Sequence, residues 1–347
     1  MRPGSRWRAR RAHVTVLGVA LAALLVAGCG SDDSDSGGGG EAAGGGGDFK
    51  IAMLLGGNVE GSAYNTDAKN TADEIEKKLG ADVTISQSVS LPNQADVYGQ
   101  FARQGYDLLI GWGGEFTDGA AAASKRFPDT EFLVINSTIE NGKNLSSMDL
   151  NVEQWHFVAG YASAKSSKSG TVGWIGGQCF PATAANLNGT KQGAEYANKD
   201  VKFLSTFTGN FEDPTKAQLA ADGMIDNKAD SITANLDRGT VGVIKAAQTA
   251  GDATAITEWI DSQEEAPDAI LTSVLKSQTR PVLPLVEQAM NGKLGGKHHQ
   301  IALPKDWGPA IANTALLPDD VYEDTLKIQD QVANGEIKVK RVETCPK

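Results

Sequence analysis

The sequence has few of the residues that most enzymes use for acid–base chemistry or for metal binding. It contains four histidines and three cysteines in 347 residues. His13 precedes the first apolar run, and His298-His299 stands in a Gly- and Lys-rich segment that predicts a solvated turn. His156 is predicted to lie on the surface of a helix. Because histidine serves most often as proton carrier and metal ligand, this composition argues against a metal site and against a histidine-dependent enzyme.

Several catalytic motifs are also absent from the sequence. There is no G-x-x-x-x-G-K-[ST] phosphate loop and no G-x-S-x-G nucleophile elbow. Gly56-Gly57 follows an apolar run, but the spacing there is G-G-x-x-x-G and not that of a dinucleotide-binding loop. We therefore expect no catalytic residue, no cofactor and no metal. A hydrolase that works with two carboxylates alone stays an alternative, because glycosidases need no more than that.

Positive charge is scarce outside the N-terminus. The formal net charge is −11, and residues 1–29 hold five arginines and no acid, so the remainder is more acidic still. Such a surface repels phosphate backbones, and nucleic acid is not an expected partner.

The N-terminus carries the pattern of an export signal. The apolar run from Val14 to Val26 would span about 20 Å as a helix, which is short of a bilayer's hydrocarbon core of about 30 Å. Arginines before it and small residues after it are typical of a secretory signal peptide. The string Leu25-Val-Ala-Gly-Cys29 resembles the lipobox of bacterial lipoproteins, in which the cysteine receives the lipid. Residues 1–29 are thus predicted to be a lipoprotein signal peptide, with Cys29 lipidated and the protein held on the extracytoplasmic face of the cell membrane.

The next segment predicts a tether. Residues 30–48 consist of Gly, Ser, Asp, Glu, Ala and no large apolar residue before the body begins at Phe49. Such a segment buries too little surface to order itself. Two further cysteines, Cys179 and Cys345, lie in the body. In an exported protein they either form a disulfide or remain as two free thiols, and the sequence leaves both open.

The body alternates short apolar runs with helical patterns, which predicts an α/β fold with parallel sheets. Helical stripes and caps indicate helices around Asp67–Leu79, 154–164, after Asp213-Pro214, at 240–250, 281–290 and 321–332. Nine strands over this length favour two doubly wound lobes, with a TIM barrel as the alternative. The predicted strands are Phe49–Leu55, Val83–Ser86, Tyr106–Ile110, Glu131–Asn136, Thr171–Ile175, Val201–Thr206, Ser231–Ala234, Ala255–Ile260 and Ala269–Val274.

In such sheets, ligands bind at the carboxyl ends of the strands. The segments that follow the predicted strands contain Trp112 and Glu115, then Asn235, then Asp261. Aromatic rings with amides and carboxylates suit a neutral, planar, hydroxylated solute, because rings stack and polar groups fix orientation.

A family resemblance begins after the first strand, at Ser62-Ala-Tyr64-Asn65. It continues with Phe157-Val-Ala-Gly-Tyr-Ala-Ser-Ala-Lys165, with Val172-Gly-Trp-Ile-Gly-Gly177 followed by Gly193-Ala-Glu-Tyr-Ala-Asn198, and with Thr272-Ser-Val-Leu-Lys276. These strings are similar, in order, to those of the basic membrane protein (BMP) lipoproteins. Proteins of this family are substrate-binding proteins of ABC importers, and its best understood branch takes up purine nucleosides.

The resemblance implies a type I periplasmic-binding-protein fold, in which two lobes joined by three crossovers close on the ligand. Residues 49–150 and about 275–300 would form the N-terminal lobe, and 151–274 and about 301–340 the C-terminal lobe. At matching positions, Tyr64 would stack on a base and Asn65 would hydrogen-bond to it. Asp261 looks like the carboxylate that binds ribose hydroxyls, and Lys276 like the family's lysine near the hinge. Ser62 belongs to the same motif.

The sequence departs from the family in two loops. Gly57 stands where the family usually has Asp, and the segment from Asn235 to Arg238 adds two charges. The ligand is therefore expected to be an uncharged nucleoside-like molecule whose identity the sequence leaves open. The expected partners are this ligand, an ABC permease and the membrane, and the protein is expected to be a monomer. A ligand sensor with the same fold is a second alternative.

Overall fold

The structure is a computed structural model that describes residues 49–346. The predicted signal peptide, Cys29 and the predicted tether lie outside the described residues. Within 49–346, no helix combines the length and the hydrophobicity that a membrane span requires.

Strands and helices alternate along the described chain. The strands are β1 (Lys50–Leu55), β2 (Asp82–Ser86), β3 (Leu108–Trp112), β4 (Glu131–Ile135), β5 (Leu145–Leu150), β6 (Thr171–Gly176), β7 (Lys202–Phe207), β8 (Ser231–Asn235), β9 (Thr254–Glu258), β10 (Ile270–Val274) and β11 (His298–Ile301). The helices are α1 (Ala63–Leu79), α2 (Gln94–Arg103), α3 (Thr117–Ser124), α4 (Val152–Ser166), α5 (Pro181–Ala197), α6 (Pro214–Asp226), α7 (Thr240–Ala250), α8 (Thr279–Met290) and α9 (Asp319–Ala333).

The strands form two parallel sheets, and each sheet is the centre of a lobe. The first has the order β11-β5-β4-β3-β1-β2 and the second the order β10-β9-β8-β6-β7. Neighbouring strands run parallel, and α-helices connect consecutive strands except β4 to β5 and β9 to β10, so the sheets are covered by helices as the alternation predicts. The α/β class and the two-lobed arrangement are confirmed, and the TIM barrel alternative is wrong because both sheets are open.

Two strands were missed by the sequence pattern, β5 and β11. The segment of β5, Leu145-Ser-Ser-Met-Asp-Leu150, is polar at three positions yet fully buried. Its serines are satisfied by β11, since the Lys297 N–H donates to Ser146 Oγ and His298 Nδ1 lies 3.0 Å from Ser147 Oγ. The prediction of a solvated turn at His298-His299 is therefore wrong, because this half-buried pair begins the edge strand beside β5.

Helix termini follow the predicted signals. Asp213 caps α6 and accepts hydrogen bonds from the backbone N–H groups of Thr215 and Lys216. Gly251 ends α7 at φ 74°, a left-handed conformation that glycine adopts without strain. Ser62 caps α1 and accepts from the backbone N–H of Asn65, so part of the predicted binding motif is also a helix start.

Three connections run between the lobes. The chain passes from β5 to α4 at Asn151, from β10 to α8 through residues 275–278, and from β11 to α9 through 302–318. α8 packs on α1 of the first lobe, and α9 packs on α4 of the second. At the second connection, Asp67 of α1 accepts from the Ser277 hydroxyl at 2.6 Å and from the Gln278 N–H at 2.8 Å, which ties this crossover to the first lobe.

The C-terminal tail after α9 is fixed at several points. Cys345 forms a disulfide with Cys179, which decides between the two possibilities that the sequence left open. Arg341 pairs with Asp149 and, at 3.0 Å, with Glu153, on either side of the first connection between the lobes. Gln192 of α5 exchanges two hydrogen bonds with the backbone of Lys340. The tail thus runs over the hinge region to the loop after β6.

Candidate functional site

A cavity with aromatic walls lies where loops of the two lobes meet. The empty space within it is about 620 Å³, part of which is open solvent. We call it the aromatic cavity. Four rings line it, from Tyr64, Phe180, Phe211 and Trp259.

The four rings come from four different elements. Tyr64 lies in the first turn of α1, and its ring centroid is 4.6 Å from that of Trp259, which follows β9 in the other lobe. The rings of Phe180 and Phe211 are nearly parallel, with an interplanar angle of 11° and centroids 6.4 Å apart. These faces suit a planar ring, since aromatic and heterocyclic rings stack favourably.

Buried amides supply polar groups to the aromatic cavity. Asn136 donates to the Tyr64 hydroxyl at 3.0 Å, which fixes that ring. Asn186 and Asn235 also line the cavity, and among residues 49–346 neither Oδ1 has a hydrogen-bond partner. An unsatisfied buried acceptor costs free energy that a hydrogen-bond donor would recover.

Lys276 is the one basic residue among those that line the aromatic cavity in the described structure. Its Nζ lies 2.8 Å from Glu258 Oε2, 2.9 Å from His156 Nε2 and 4.5 Å from the Trp259 ring centroid. Burial lowers the pKa of Lys276, while Glu258 opposes this shift. The Lys276 charge is therefore already matched inside the protein.

His156 is fully buried in this group, so its predicted place on a helix surface is wrong. The reason is that α4 is covered on all sides by α5, α9 and the second sheet, which its nearly continuous apolar sequence allows. Burial, together with nearby Lys276, lowers the pKa of His156 well below its usual value, so the ring is neutral at pH 7.

A second cavity adjoins the first and is lined by carboxylates. Glu115, which follows β3, Glu212, which follows β7, and Asp237, which follows β8, all line it, and two of them also line the aromatic cavity. We call it the acidic cavity. The Ser62 hydroxyl donates to Asp237 Oδ1 at 3.1 Å, a hydrogen bond from one lobe to the other.

The carboxylates of the acidic cavity affect each other. Burial, with a contribution from Glu212, raises the pKa of Glu115 to about 7. Burial and the carboxylates of Glu212 and Glu115 raise the pKa of Asp237 well above its usual range. Like charges so close together hold protons near neutral pH. In residues 49–346, no cluster of His, Cys, Asp and Glu is arranged to hold a metal ion.

Most of the predicted site residues meet here. Tyr64, Glu115, Asn235 and Lys276 line the aromatic cavity, and Asn65 lines the acidic cavity. Ser62 supports Asp237. Trp112 lies behind the site, fully buried, with its ring 5.8 Å from that of Tyr64 and its Nε1 donating to the Tyr64 carbonyl.

Asp261 is not brought to either of these cavities. It is exposed and accepts from the backbone N–H of Gln263. β9 ends at Glu258, two residues earlier than predicted, and Trp259 has a φ of 79°, so the chain turns before Asp261 and directs Trp259 to the cavity. Trp259 lines the aromatic cavity in the region where the sequence pattern placed Asp261.

Sequence reasoning also missed Phe180, Phe211 and Glu212. Each lies within six residues of the carboxyl end of a strand of the second sheet, and this position is the sequence signal that marks them. Asn136 and Asn186 carry no comparable signal, because Asn186 lies inside α5 and only the fold directs it to the cavity.

Two lobes with open parallel sheets, joined by three connections and with a cavity between their loops, define the type I periplasmic-binding-protein fold. The solute-binding protein of an ABC transporter system from Aeropyrum pernix K1 has the same fold, with a TM-score of 0.75 at 20% identity over 85% of this chain and 94% of that chain.

The chain belongs to the Bmp family, described as ABC transporter substrate-binding protein PnrA-like, whose sequence profile matches residues 49–343. Basic membrane protein A of Borreliella burgdorferi is 26% identical over 84% of this chain and 87% of its own. The ABC transporter nucleoside-binding protein BmpA of Lactococcus lactis is 30% identical over 61% of each chain. The protein is therefore a substrate-binding protein of an ABC transporter and not an enzyme, and the hydrolase alternative is not favoured.

Proposed function

We propose that this protein is a lipid-anchored extracytoplasmic receptor that captures an uncharged, nucleoside-like ligand and presents it to an ABC permease. The observation that carries the proposal is the aromatic cavity, which combines four ring faces with two unpartnered amide oxygens between the lobes. A purine or pyrimidine ring would stack on these faces, and its hydroxyl or amino donors would satisfy Asn186 and Asn235. The name of the Lactococcus lactis relative, a nucleoside-binding protein, supports the same class of ligand.

The charges near the cavity favour a nucleoside over a nucleotide. The Lys276 ammonium is paired with Glu258, and the other charged side chains that line the cavity are the carboxylates of Glu115 and Asp237. A phosphate group would find no unpaired cation among the lining residues, and any ionised carboxyl group of Glu115 or Asp237 would repel it.

Closure of the two lobes is the proposed mechanism of capture. Tyr64 and Trp259 stand on opposite lobes, so their rings approach each other only when the lobes are together. A ligand that contacts both lobes binds the closed form better and shifts the population toward it. The permease would then distinguish the loaded receptor by its closed form.

Titration calorimetry of the mature protein against nucleosides, bases and nucleoside monophosphates tests this proposal. We expect nucleosides to bind and the corresponding monophosphates to bind much more weakly. Tyr64→Ala should weaken nucleoside binding by about 1–3 kcal/mol, the usual value of a lost stacking contact. The matched control is Tyr196→Ala, because Tyr196 lies on the outer part of α5 and is 46% exposed. Absence of binding by every nucleoside and base would refute the ligand class.

The anchor at Cys29 has its own test. In a host that processes lipoproteins, the protein should fractionate with membranes and carry the mass of attached acyl chains at Cys29. Cys29→Ser should release it into the soluble fraction. An unmodified Cys29 in the membrane-bound protein would contradict the proposal.

A further inference from the structure

The disulfide-bonded tail is a feature that the proposed function does not use. Cys345 lies in the exposed part of the tail after α9, and its partner Cys179 directly precedes Phe180, one of the four rings of the aromatic cavity. The disulfide therefore joins the end of the described chain to a wall of the candidate ligand site.

The backbone around Phe180 rests on one side-chain hydroxyl group. Thr183 Oγ1 accepts from the Phe180 N–H at 2.7 Å, and it lies 2.8 Å from the Gln178 carbonyl oxygen and 3.0 Å from that of Phe180. A hydroxyl group has one proton, so it donates to only one of the two carbonyl groups at a time. The Phe180 ring is half-buried, and its 6.4 Å centroid distance to Phe211 is near the long end of the range for aromatic pairs. The ring therefore depends on the covalent bond at Cys179 for much of its position.

The tail that holds the other end of this bond runs along α5. Gln192 exchanges hydrogen bonds of 2.8 Å and 2.9 Å with the backbone of Lys340. One turn nearer the start of α5, the Asn188 side chain donates to the Val342 carbonyl at 3.5 Å. The disulfide is the next connection in this direction. The tail thus runs antiparallel to α5 and reaches the loop from which this helix starts.

Arg341 anchors the tail at the first connection between the lobes. Its guanidinium group pairs with Asp149 of β5 and, at 3.0 Å, with Glu153 in the first turn of α4. It also donates to the Leu150 carbonyl at 3.1 Å. A tail attached only at the disulfide would follow the loop wherever the loop moved. Because this tail is also fixed at the hinge, it can hold the loop in one place.

We propose that the tail is a positioning element of the ligand site: through the bond between Cys179 and Cys345 it holds Phe180 against the ligand, and reduction of that bond by a thiol lowers the affinity of the receptor. This inference rests on the proposed function, because it gives the Phe180 ring a role in stacking on the ligand. Capture of the ligand then depends on the redox state of a bond that lies outside the cavity.

The reduction begins at Cys345, because this residue is exposed while Cys179 is half-buried. A thiolate of the reductant attacks Cys345 Sγ, the bond to Cys179 breaks, and Cys179 leaves as a thiolate that takes up a proton. A second thiolate of the reductant then attacks the sulfur of the first and releases Cys345, which is protonated in turn. The protein gains two electrons and two protons, and the reductant becomes a disulfide. An oxidised thiol reverses both steps.

Calorimetry of the mature protein with adenosine, guanosine, inosine, cytidine and uridine, before and after incubation with dithiothreitol, tests the inference. Reduction should raise the Kd of the bound nucleoside at least about fivefold, the lower end of what a lost stacking contact costs. Reoxidation with oxidised glutathione should restore the affinity. Cys345→Ser is the matched control. It should bind as weakly as the reduced parent and should not respond to dithiothreitol, although it keeps Cys29 and Cys179.

The outcomes separate the inference from the proposed function. Equal affinities of the oxidised and the reduced parent would overturn the inference and leave the nucleoside proposal standing. A response of Cys345→Ser to dithiothreitol equal to that of the parent would also overturn it, because the effect would then not come from this bond. Failure of every nucleoside to bind in either state would overturn the proposed function, and with it the role given to Phe180.

A second variant distinguishes the positioning of Phe180 from a general loss of stability. Phe180→Ala should itself weaken nucleoside binding. In this variant, reduction should change the Kd less than about twofold, because effects that act through one residue are not additive. A reduction effect of the same size with and without the Phe180 ring would overturn the inference.

Hydrogen exchange of the ligand-free protein, followed by mass spectrometry, provides a measurement that needs no ligand. Reduction should speed exchange in residues 177–186, which include the loop and the first turn of α5, and should leave α2 of the first lobe unchanged. Unchanged exchange in residues 177–186 would overturn the inference. So would an equal increase in α2, because reduction would then loosen the whole fold and not this loop.

Discussion

At the scale of single residues, the buried group of Lys276, Glu258 and His156 combines a charge pair with a neutral ring. Both charged side chains are almost completely buried, and Glu258 also accepts a hydrogen bond from Asn235 at 3.0 Å. Such a pair contributes little net stability over an apolar alternative, but the loss of one partner leaves an unpaired buried charge.

Lys276→Met should therefore lower the free energy of unfolding by about 3–5 kcal/mol. Adding Glu258→Gln to this variant should restore part of the loss, because the uncompensated carboxylate is then gone. Urea denaturation of the two variants measures the effect. Lys327→Met serves as control, since its pair with Asp324 is on the surface and should matter little. A double variant that is less stable than Lys276→Met would contradict this account.

Glu115 makes stability depend on pH. Its pKa rises from 4.5 in the unfolded chain to about 7 in the folded protein. Between these values the folded protein holds a proton that the unfolded chain has lost, so this residue lowers stability as pH rises through the window. Glu115→Gln cannot ionise, and between about pH 5 and pH 8 it should gain about 1–3 kcal/mol relative to the parent.

Denaturant titrations at several pH values follow this difference between the Glu115→Gln variant and the parent. Glu264→Gln is the control, because Glu264 is an exposed glutamate outside both cavities. Parallel stability curves for the parent and Glu115→Gln would mean that Glu115 is ionised without cost in the fold.

Single residues were also where the sequence was least informative. Tyr64 and Asn65 could be identified because they belong to a local string, whereas Asn186 contacts the cavity only through the packing of α5. Asp261 lies outside both cavities, which a local pattern cannot show because it does not reveal that Trp259 has a positive φ. Backbone conformation of this kind depends on distant contacts, which a local pattern does not contain.

At the scale of elements, the closest packing is between α4 and α5. Three glycines allow it, namely Gly160, Gly189 and Gly193. A Cβ on Gly193 would lie 1.9 Å from the Phe157 carbonyl oxygen, and a Cβ on Gly160 would lie 2.0 Å from the Thr190 carbonyl oxygen. Backbone atoms cannot move aside as a flexible side chain can, so these positions accept no side chain at this separation.

Gly193→Ala is expected to destabilise the protein by at least about 2 kcal/mol because it forces the two helices apart. Gly223 in α6 has no atom within 4 Å of a hypothetical Cβ, and Gly223→Ala should instead stabilise by about 0.5–1 kcal/mol through helix propensity. Thermal and urea denaturation of the two variants measures the expected loss of stability for Gly193→Ala and the expected gain for Gly223→Ala. A stabilising Gly193→Ala would show that α4 and α5 are less tightly packed than the structure indicates.

The elements themselves were largely predictable, and the exceptions have a physical cause. Nine strands carry apolar runs, and helices α1, α6 and α7 carry caps or apolar stripes that identify them locally. β5 and β11 lack this signal because they carry polar side chains, and the two serines of β5 are satisfied by Lys297 and His298. Reciprocal satisfaction between segments about 150 residues apart cannot be read from either segment alone.

At the scale of the whole molecule, the tail joins the hinge to the binding site. Arg341 binds both sides of the first connection between the lobes, and the disulfide holds the tail to Cys179, which precedes Phe180 of the aromatic cavity. The order of the binding loop thus depends on a segment at the other end of the chain.

Cys345→Ser should lower the free energy of unfolding by about 2–5 kcal/mol, the usual effect of losing a disulfide that closes a long loop. Cys179→Ser should have the same effect, and the double variant should be no less stable than either single one. Chemical denaturation under oxidising conditions provides the comparison. Additive losses would show that each cysteine stabilises the fold independently of the bond.

The bond between Cys179 and Cys345 has a topological consequence as well. The two residues are separated by 166 positions, so the bond closes most of the second lobe and two of the three connections between the lobes into one covalent ring. A single cut by a protease inside this ring opens it but releases no fragment. The nicked protein should therefore keep its full mass, apart from one added water, until a reductant is present, and a single cut there removes no piece of either lobe.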